Sequence, residues 1–418
     1  MKFCDVTIAY NERSGGIRTY IDQKRRFLVE RTGHDHLLII PGAEDCVETD
    51  GRSTTVQISS PLFPGQADYR FFVWPPAIRK VLLEHAPDIV ELGSHYMTPW
   101  PVLSYRKQRL QEGHSCIVGA FFHTDVAEAY VGAPLRALAH ERIDELSDLL
   151  GHMVEKLADT AARGAEHYIG TVFRQCDRRM APTPAQAARL RDYGVDDVQV
   201  VPLGVDLDLF RPDRRDPALR AALGADPRSL VLLFIGRLGT EKHVPTLIEA
   251  YARLPRSLHA QLWIAGEGPL RDVIEDLAGR HPGVRLMPYE PDRGRVAAMI
   301  ASADLYVTAG PHETFGLAVI EAQAAGLPVV GVNAGALVER VPDGLGYLGP
   351  VDDPDAMAAN ILRAAAEKES LGRRARAHVE SNFGWDHTFA RLLDVYATAD
   401  PGPRSADPPG AVLLSPKS

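Results

Sequence analysis

Short apolar runs alternate with amphipathic segments along most of the chain. Runs bounded by Gly, Pro or polar loops predict buried strands, and apolar positions three and four apart in the segments after them predict helices. Strands are expected at 3–10, 36–42, 86–94 and 117–122, and β-α units at 229–254, 261–278, 284–310 and 308–332. Because strands that alternate with helices form parallel sheets, this order predicts an α/β protein with two Rossmann-like halves.

The stretch 308–332 reads strand end, loop, helix, glycine stop and buried strand. Thr314 is a candidate N-cap, so the helix is expected to begin near Phe315 and to close at Gly326. The first amides of a helix have no intrahelical partner, and the helix dipole favours an anion at that end. Gly316 would let a phosphate approach the backbone closely.

Two carboxylates flank this helix start. Glu313 precedes the helix, and Glu321 lies inside it with a side chain that tilts back toward the N-terminus. Bare carboxylates repel a diphosphate but accept hydrogen bonds from hydroxyls. A ligand with phosphates in the middle and hydroxyl-bearing rings at both ends fits every group, which indicates a sugar nucleotide. The alternative is a surface helix with two solvated carboxylates.

Two cations follow the strand that opens the second half. Arg237 lies just past the strand end and Lys242 five residues later, before a helix that Pro245 can initiate. Cations at the carboxyl end of a strand are well placed for phosphates, because Arg offers a planar fork and Lys a mobile point charge. The pair predicts a diphosphate site.

The first half offers a glycine pair and a histidine. Gly15 and Gly16 lie between the first strand and an amphipathic helix, but the G-x-G-x-x-G fingerprint is absent, which counts against NAD or FAD. His123 ends the strand of 117–122, where ligands of open α/β sheets bind. Asp125 could orient this imidazole or accept an acceptor hydroxyl. A histidine at a strand end can also be purely structural.

The Glu-x7-Glu spacing followed by AQAAGLPVV strongly resembles the retaining family 4 glycosyltransferases of the GT-B fold. The resemblance implies that Glu313 contacts the donor sugar, Glu321 the ribose, and Arg237 and Lys242 the donor diphosphate. It also implies that His123 borders the reacting centre. The remaining residues it assigns are Phe315, Gly316 and Leu317 at the helix start, Gly15 and Gly16 beside the donor phosphates, and Arg18 on the acceptor side.

The resemblance also sets the expected domain organisation. Two Rossmann-like β/α/β domains face each other across a deep cleft, and a C-terminal helix crosses back to the first domain. The bounds expected are 1–200 for the acceptor domain, 201–382 for the donor domain, 383–399 for the crossover helix and 400–418 for a Pro-rich, disordered tail. The implied chemistry is a same-face attack without a covalent intermediate, in which the donor phosphate takes the acceptor proton.

The acceptor is suggested by two segments. SPLFPGQADYRFFVWPP (60–76) is expected to be irregular because of its prolines, and it resembles the acceptor loop of phosphatidylinositol mannosyltransferases and sulfoquinovosyl or glycolipid glycosyltransferases. The basic residues Lys24, Arg25 and Arg26 on the first helix favour a lipid or lipid-linked glycan met at a membrane face, although a solvated helix face is equally compatible. The resemblance to this branch of the family favours GDP-mannose as the donor, with a UDP-hexose next. A GT-B nucleotide-sugar 2-epimerase and a non-catalytic sugar-binding relative are the alternatives.

Composition and charge limit the partners and the cellular location that the chain can have. The formal net charge of -9 counts against nucleic-acid binding. No apolar run reaches the roughly 20 residues that a membrane span needs, and the start is too polar for a signal peptide. The four scattered cysteines favour reduced thiols in a cytoplasmic enzyme, peripheral at most to the inner membrane face. Asp206 and Asp208 imitate a metal-binding motif but are expected in an ordinary loop. His34 and His36 are expected in a solvent-exposed loop. Neither a metal nor a cofactor is therefore expected.

Overall fold

The computed structural model describes residues 1–11, 15–63, 66–95, 97–123 and 148–398. Two mostly parallel sheets with helices on both faces form the two halves that the hydrophobic pattern predicts. The predicted tail 400–418 lies outside the described residues. None of the helices formed by the described residues combines the length and the apolar composition needed to cross a membrane.

The first sheet has eight strands in the order β10-β9-β8-β7-β1-β2-β4-β3. All neighbours are parallel except β3 and β4, an antiparallel edge pair joined by a turn at Gly51, whose φ is +56°. The strands are β1 Lys2–Val6, β2 Asp35–Gly42, β3 Cys46–Asp50, β4 Ser53–Ser59, β7 Ile89–Leu92, β8 Ile117–Phe121, β9 Arg178–Ala181 and β10 Val198–Val200.

The second sheet has six parallel strands in the order β13-β12-β11-β14-β15-β16. The strand order reverses direction at β11 and β14, and this switch point is where open α/β sheets bind ligands. The strands are β11 Val231–Ile235, β12 Gln261–Ala265, β13 Val284–Met287, β14 Leu305–Val307, β15 Val329–Val332 and β16 Gly346–Gly349.

Amphipathic helices connect the strands and cover both sheets. The α-helices are α1 Gly16–Arg26, α2 Pro75–His85, α3 Pro99–Gln111, α4 Asp148–Gln175, α5 Pro184–Asp192, α6 Pro217–Ala222, α7 Val244–Ala252, α8 Arg271–Gly279, α9 Arg293–Ser302, α10 Leu317–Ala324, α11 Leu337–Arg340, α12 Pro354–Asn382 and α13 Trp385–Ala397. Helix α1 continues as a π-helical turn, Phe27–Thr32.

Two expectations about local structure were wrong. The first strand ends at Val6 rather than Tyr10. The Pro-rich stretch 60–76 does contain regular structure, since Leu62–Phe63 (β5) pairs antiparallel with Gln66–Arg70 (β6) and helix α2 starts at Pro75. Pro61 precedes β5, and Pro75 and Pro76 begin α2, where a missing amide hydrogen is tolerated.

Helix α13 returns from the second half to the first sheet. Its Tyr396 hydroxyl donates to Glu91 of β7 at 2.7 Å, and the Val395 carbonyl accepts from Arg178 of β9 at 2.6 Å. The helix therefore crosses back to the first half, as the resemblance implies, and connects the second half to the first sheet.

A buried group of charges lies under helix α1. The Lys24 ammonium contacts Asp5 at 2.6 Å and Glu91 at 2.9 Å, with about 2% of each side chain exposed. Tyr20 also donates to Glu91, at 3.0 Å. Lys24 thus belongs to the core, and the expectation that it forms a surface patch with its basic neighbours was wrong, because the two carboxylates compensate its desolvation.

His36 was also expected in solvent and is buried in strand β2. Its Nε2 lies 2.8 Å from Asp5, and its Nδ1 accepts from Arg25 at 3.3 Å. Burial lowers the pKa of His36, although the hydrogen bond to Asp5 opposes that shift. The imidazole therefore extends the charge network from β1 to β2 rather than facing water.

Candidate active site between the two halves

The cleft lies where the loops that follow the strands of the two sheets meet. The Thr314 hydroxyl, ahead of α10, donates to the His123 carbonyl at the end of β8 at 2.9 Å. A Cβ added to Gly16 would lie 2.6 Å from the Leu317 Cδ1 atom. The glycine loop, the histidine and the start of α10 therefore occupy one small region, which their separation in sequence did not reveal.

The start of α10 differs from its prediction in one respect. Gly316, with φ +83°, occupies the N-cap position, and Leu317 is the first helical residue. Thr314 was expected to cap this helix, yet its hydroxyl spans the cleft instead. Only glycine adopts the left-handed conformation freely, so this residue type is needed to expose the first amides of the helix.

Lys242 and Glu313 form an ion pair beside this helix start. The Lys242 ammonium donates to the Glu313 carboxylate at 2.7 Å, and about a quarter of each side chain is exposed. Burial alone would raise the pKa of Glu313, but the Lys242 charge and the Gly316 amide outweigh it and lower that pKa. The carboxylate is therefore ionised and can still accept hydrogen bonds from a sugar.

Arg237 follows strand β11 and is half-buried. Its loop is fixed from both sides, because the Gly236 amide donates to Ala265 at 3.1 Å and the Leu238 amide donates to Glu267 at 2.9 Å. Within the described part of the chain the Arg237 guanidinium has no hydrogen-bond or ion-pair partner. A half-buried cation of this kind is suited to an anionic ligand.

Glu321 lies inside α10, almost fully buried, and pairs with Arg293 at the start of α9. Burial raises the pKa of Glu321, and the Arg293 charge opposes that shift. Arg293 is not among the residues that the sequence pattern predicts for this site. No local signal marks it, because the pair joins two helices 28 residues apart in the chain.

His123 is buried and neutral. Its ring stacks on Phe121 with centroids 4.3 Å apart and packs against Tyr20 at 4.9 Å. Burial, with smaller contributions from Lys24 and His95, lowers the pKa of His123 to about 3. A neutral imidazole held between two aromatic rings can donate one hydrogen bond and accept another, but it carries no charge at neutral pH.

Arg340 contacts Phe315, two residues after Glu313, and the sequence pattern did not predict it either. Its Nε donates to the Phe315 carbonyl at 3.1 Å, and its guanidinium lies over the Phe315 and Phe383 rings at 4.2 and 4.7 Å. Burial lowers the pKa of Arg340 to about 10. Because the Phe315 side chain is enclosed in this stack, a ligand could be contacted only by the backbone of that residue.

The remaining predicted residues lie at the edge of the cleft or outside the described residues. Gly15 is exposed, and a Cβ added to it would meet open space. Arg18 lies over the Tyr10 ring at 5.5 Å and donates to the Asn11 carbonyl at 3.0 Å. Asp125 lies outside the described residues, so its role stays a prediction.

The absence of a metal and a cofactor also stays a prediction. No group of three or more His, Cys, Asp or Glu within the described ranges is arranged to hold a metal ion. The Asp206 carboxylate accepts from the amides of Asp208 and Leu209 at 3.1 and 2.9 Å, as in an ordinary loop.

Comparison with known proteins covers both halves. Residues 14–209 match the family described as Glycosyltransferase Family 4, and residues 216–378 match Glycosyl transferases group 1. The chain is 31% identical to a GDP-mannose-dependent alpha-(1-6)-phosphatidylinositol dimannoside mannosyltransferase of Mycobacterium tuberculosis, over 94% of this chain and 95% of that protein. It is 29% identical to a GDP-mannose-dependent alpha-mannosyltransferase of Corynebacterium glutamicum, over 88% and 82%.

A solved structure supports the fold alone. The sucrose-phosphate synthase of Thermosynechococcus elongatus superposes with a TM-score of 0.73 at 19% identity, covering 95% of this chain and 98% of that one.

Proposed function

Because this chain is a glycosyltransferase of family 4 with the GT-B fold, we propose that it moves mannose from GDP-mannose to a hydroxyl of a lipid or lipid-linked glycan, with retention of the anomeric configuration. The donor would bind to the second half of the chain and the acceptor to the first. No metal takes part in this proposal.

One observation carries it: groups suited to each part of the reaction converge on the start of α10. Lys242 and Glu313 pair there at 2.7 Å, while Gly16 and His123 of the other half touch the same turn. A diphosphate beside Lys242 and the first amides of α10 would place its sugar near Glu313 and His123. A surface helix with solvated carboxylates would have no reason to meet the opposite half in this way.

The residues account for the charge that develops in the reaction. Cleavage of the anomeric C–O bond leaves positive charge on the sugar ring and negative charge on the diphosphate. The Lys242 ammonium has three donors, so it can bind a phosphate oxygen while keeping its bond to Glu313. Arg237 and the helix amides would stabilise the rest of the leaving charge, which is usually the largest contribution at such sites.

The first half would guide the acceptor. His123 is neutral, so it cannot repel the developing oxocarbenium ion as an imidazolium would. The acceptor hydroxyl attacks from the face that the diphosphate leaves, and a phosphate oxygen takes its proton. Because Lys24 pairs with both Asp5 and Glu91, these buried carboxylates are not free to act as a nucleophile.

The donor is proposed from the relatives. Two proteins that align with most of this chain are described as GDP-mannose-dependent. UDP-hexose remains the second candidate donor. The epimerase alternative finds no support among these relatives, which transfer sugars.

The acceptor is proposed from a relative and from one surface. The relative of Mycobacterium tuberculosis is described as a phosphatidylinositol dimannoside mannosyltransferase, so a lipid acceptor is proposed for this chain as well. Helices α2 and α3 connect parallel strands and so begin near the carboxyl edge of the first sheet, where Trp74 is 68% exposed and Trp100 is 44% exposed. Exposed Trp is typical of proteins at a membrane interface. We therefore place peripheral membrane contact, at the cytoplasmic face, on this edge rather than on α1.

Two measurements test the proposal. GDP should raise the melting temperature of the protein more than UDP, because a ligand stabilises the state it binds by mass action. GDP-mannose incubated with phosphatidylinositol mannosides in detergent micelles should yield a product one hexose heavier by mass spectrometry, with an α-anomeric proton in its NMR spectrum. A β-linked product would contradict retention.

Two controls separate the alternatives. Glu313→Ala should abolish transfer, while thermal unfolding should show an intact fold. A non-catalytic sugar-binding protein would have no transfer activity to lose. GDP-mannose without acceptor should stay unchanged by proton NMR, whereas an epimerase would convert the sugar.

A further inference from the structure

The ion pair between Arg293 and Glu321 joins an exposed cation to a buried carboxylate. About 43% of the Arg293 side chain is exposed but only 9% of the Glu321 side chain. The guanidinium contacts the Glu321 carboxylate from the solvent-exposed side of the pair. The arrangement is therefore accessible to a ligand from the side of the arginine.

The surroundings fix the position of Arg293. The Asp292 side chain caps α9 by accepting from the Gly294 and Arg295 amides at 2.7 and 3.2 Å. The Arg293 guanidinium lies over the Phe210 ring at 5.0 Å, in the connection between the two halves. Phe210 is buried, so the arginine rests on a rigid surface.

The other polar groups around Glu321 are engaged elsewhere. The Tyr306 hydroxyl of β14 donates to the Ile235 carbonyl at 3.2 Å. Arg340 of α11 stacks on two phenylalanine rings, and Arg376 of α12 donates to the carbonyls of Phe210 and of Ala324, the last residue of α10. Among the described residues, Arg293 is the cation that pairs with Glu321.

We propose that Arg293 is a positioning residue for the nucleotide: it holds Glu321 oriented and ionised, so that the carboxylate can accept hydrogen bonds from both ribose hydroxyls. This inference rests on the proposed function, which places Glu321 on the ribose. Burial raises the pKa of Glu321, and the adjoining cation is what opposes that rise. Without Arg293 the carboxylate would protonate at a higher pH.

Protonation would matter because it changes what the group can bind. An ionised carboxylate only accepts hydrogen bonds, whereas a protonated one must itself donate one and so meets a hydroxyl pair poorly. Loss of Arg293 is therefore expected to weaken nucleotide binding as the pH falls. Loss of Glu321 should weaken it to the same extent at every pH.

The expected pH dependence of nucleotide binding can be tested by calorimetric titration of the full chain with GDP between pH 6 and 8. Each variant is compared with the wild type at the same pH. Arg293→Met keeps the aliphatic stem over Phe210. Below the raised pKa of Glu321 in this variant, the affinity for GDP relative to the wild type should fall by up to about tenfold per pH unit. Arg293→Lys should restore most of the affinity. Glu321→Gln should bind weakly without extra pH dependence, and adding Arg293→Met to it should cause no further loss.

Arg295→Met is the matched control, because Arg295 lies two residues along α9 and pairs with Glu290 at the surface. Arg293→Gln replaces the methionine variant if that protein does not fold. Equal weakening at every pH, or a further loss in the double variant, overturns the inference. If Glu321→Gln binds GDP like the wild type, the ribose assignment itself fails, and if the wild type binds no nucleotide, the proposed function fails.

Discussion

At the scale of single residues, the cleft brings together groups whose charge states are set by their neighbours. Lys242 keeps Glu313 ionised, and burial between Phe121 and Tyr20 keeps His123 neutral. In the proposed reaction, a charged lysine would face the departing diphosphate, while the reacting sugar would meet a carboxylate and an uncharged ring. Each of these properties can be tested by changing one side chain.

Replacement of Lys242 by alanine should slow transfer more than it affects folding. Removing one donor from a developing negative charge typically costs about 3 kcal/mol, or roughly a hundredfold in kcat. Steady-state kinetics with GDP-mannose would measure the loss. Arg280→Ala, which breaks an exposed ion pair with Asp276 in the same half, is the control and should leave kcat unchanged. A Lys242→Ala enzyme with normal kcat would exclude the lysine from the reaction.

His123 should make the folded protein sensitive to acid. Its pKa is about 3 in the folded state, well below the ordinary histidine value of about 6.5, so between these values the unfolded chain binds the extra proton. The free energy of unfolding should therefore fall as the pH drops below about 6.5, by up to about 1.4 kcal/mol per unit. Urea unfolding between pH 5 and 7 should show a smaller slope for His123→Asn. Equal slopes would mean that the imidazole is not held neutral.

At the scale of elements, the loop before α1 and the start of α10 form one contact between the halves. Gly16 leaves the space that Leu317 fills, and the Thr314 hydroxyl closes the same region onto β8. The start of the helix proposed to bind the diphosphate is thus in direct contact with the glycine loop of the other half. Glycine at 16 leaves the Leu317 side chain in place, and glycine at 316 supplies the left-handed backbone conformation.

Gly16→Ala should disturb this contact, whereas Gly15→Ala should not. An added methyl group at 16 forces Leu317 to move, while one at 15 meets open space. Overpacking of this kind costs on the order of 1 kcal/mol, which corresponds to about a fivefold loss in kcat/KM for the donor. The double variant Gly16→Ala, Leu317→Ala should recover part of that loss. A larger effect of Gly15→Ala than of Gly16→Ala would contradict the packing explanation.

At the scale of the whole molecule, helix α13 and the buried charges tie the two halves to a common base. Tyr396 of α13, Tyr20 of α1 and Lys24 all bond to Glu91 in the middle of the first sheet. Tyr20 also packs against His123. Helices α13 and α1 are thus both bonded to Glu91, and His123 packs against the Tyr20 side chain of α1.

Lys24→Met should be strongly destabilising although Lys24 takes no part in the reaction. Removing one partner of a buried ion pair leaves the remaining carboxylates uncompensated, which typically costs about 3–5 kcal/mol. Urea unfolding at pH 7 would measure it. Arg26→Ala, two residues along the same helix, breaks only an exposed pair with Glu30 and should cost less than about 1 kcal/mol. Similar values for the two variants would show that the buried charges are not coupled.

Much of the site could be predicted because it depends on short sequence patterns. The alternation of strands and helices, the position of His123 at a strand end and the Glu313–Glu321 spacing all follow from a few neighbouring residues. Lys24 and His36 were misjudged, since a charged residue is normally exposed and their buried partners are distant in sequence. The β3–β4 hairpin was missed despite its Asp50-Gly51 turn.

By itself, the sequence determined the two Rossmann-like halves and the chemical types that the cleft offers, because periodicity and residue type are local properties of the chain. Only the tertiary structure decided which of those groups meet. It placed Thr314 against His123, Arg293 on Glu321, and Lys24 between two carboxylates. These contacts join elements far apart in the chain, so they depend on how the sheets and helices pack, and no pattern along the sequence records that packing.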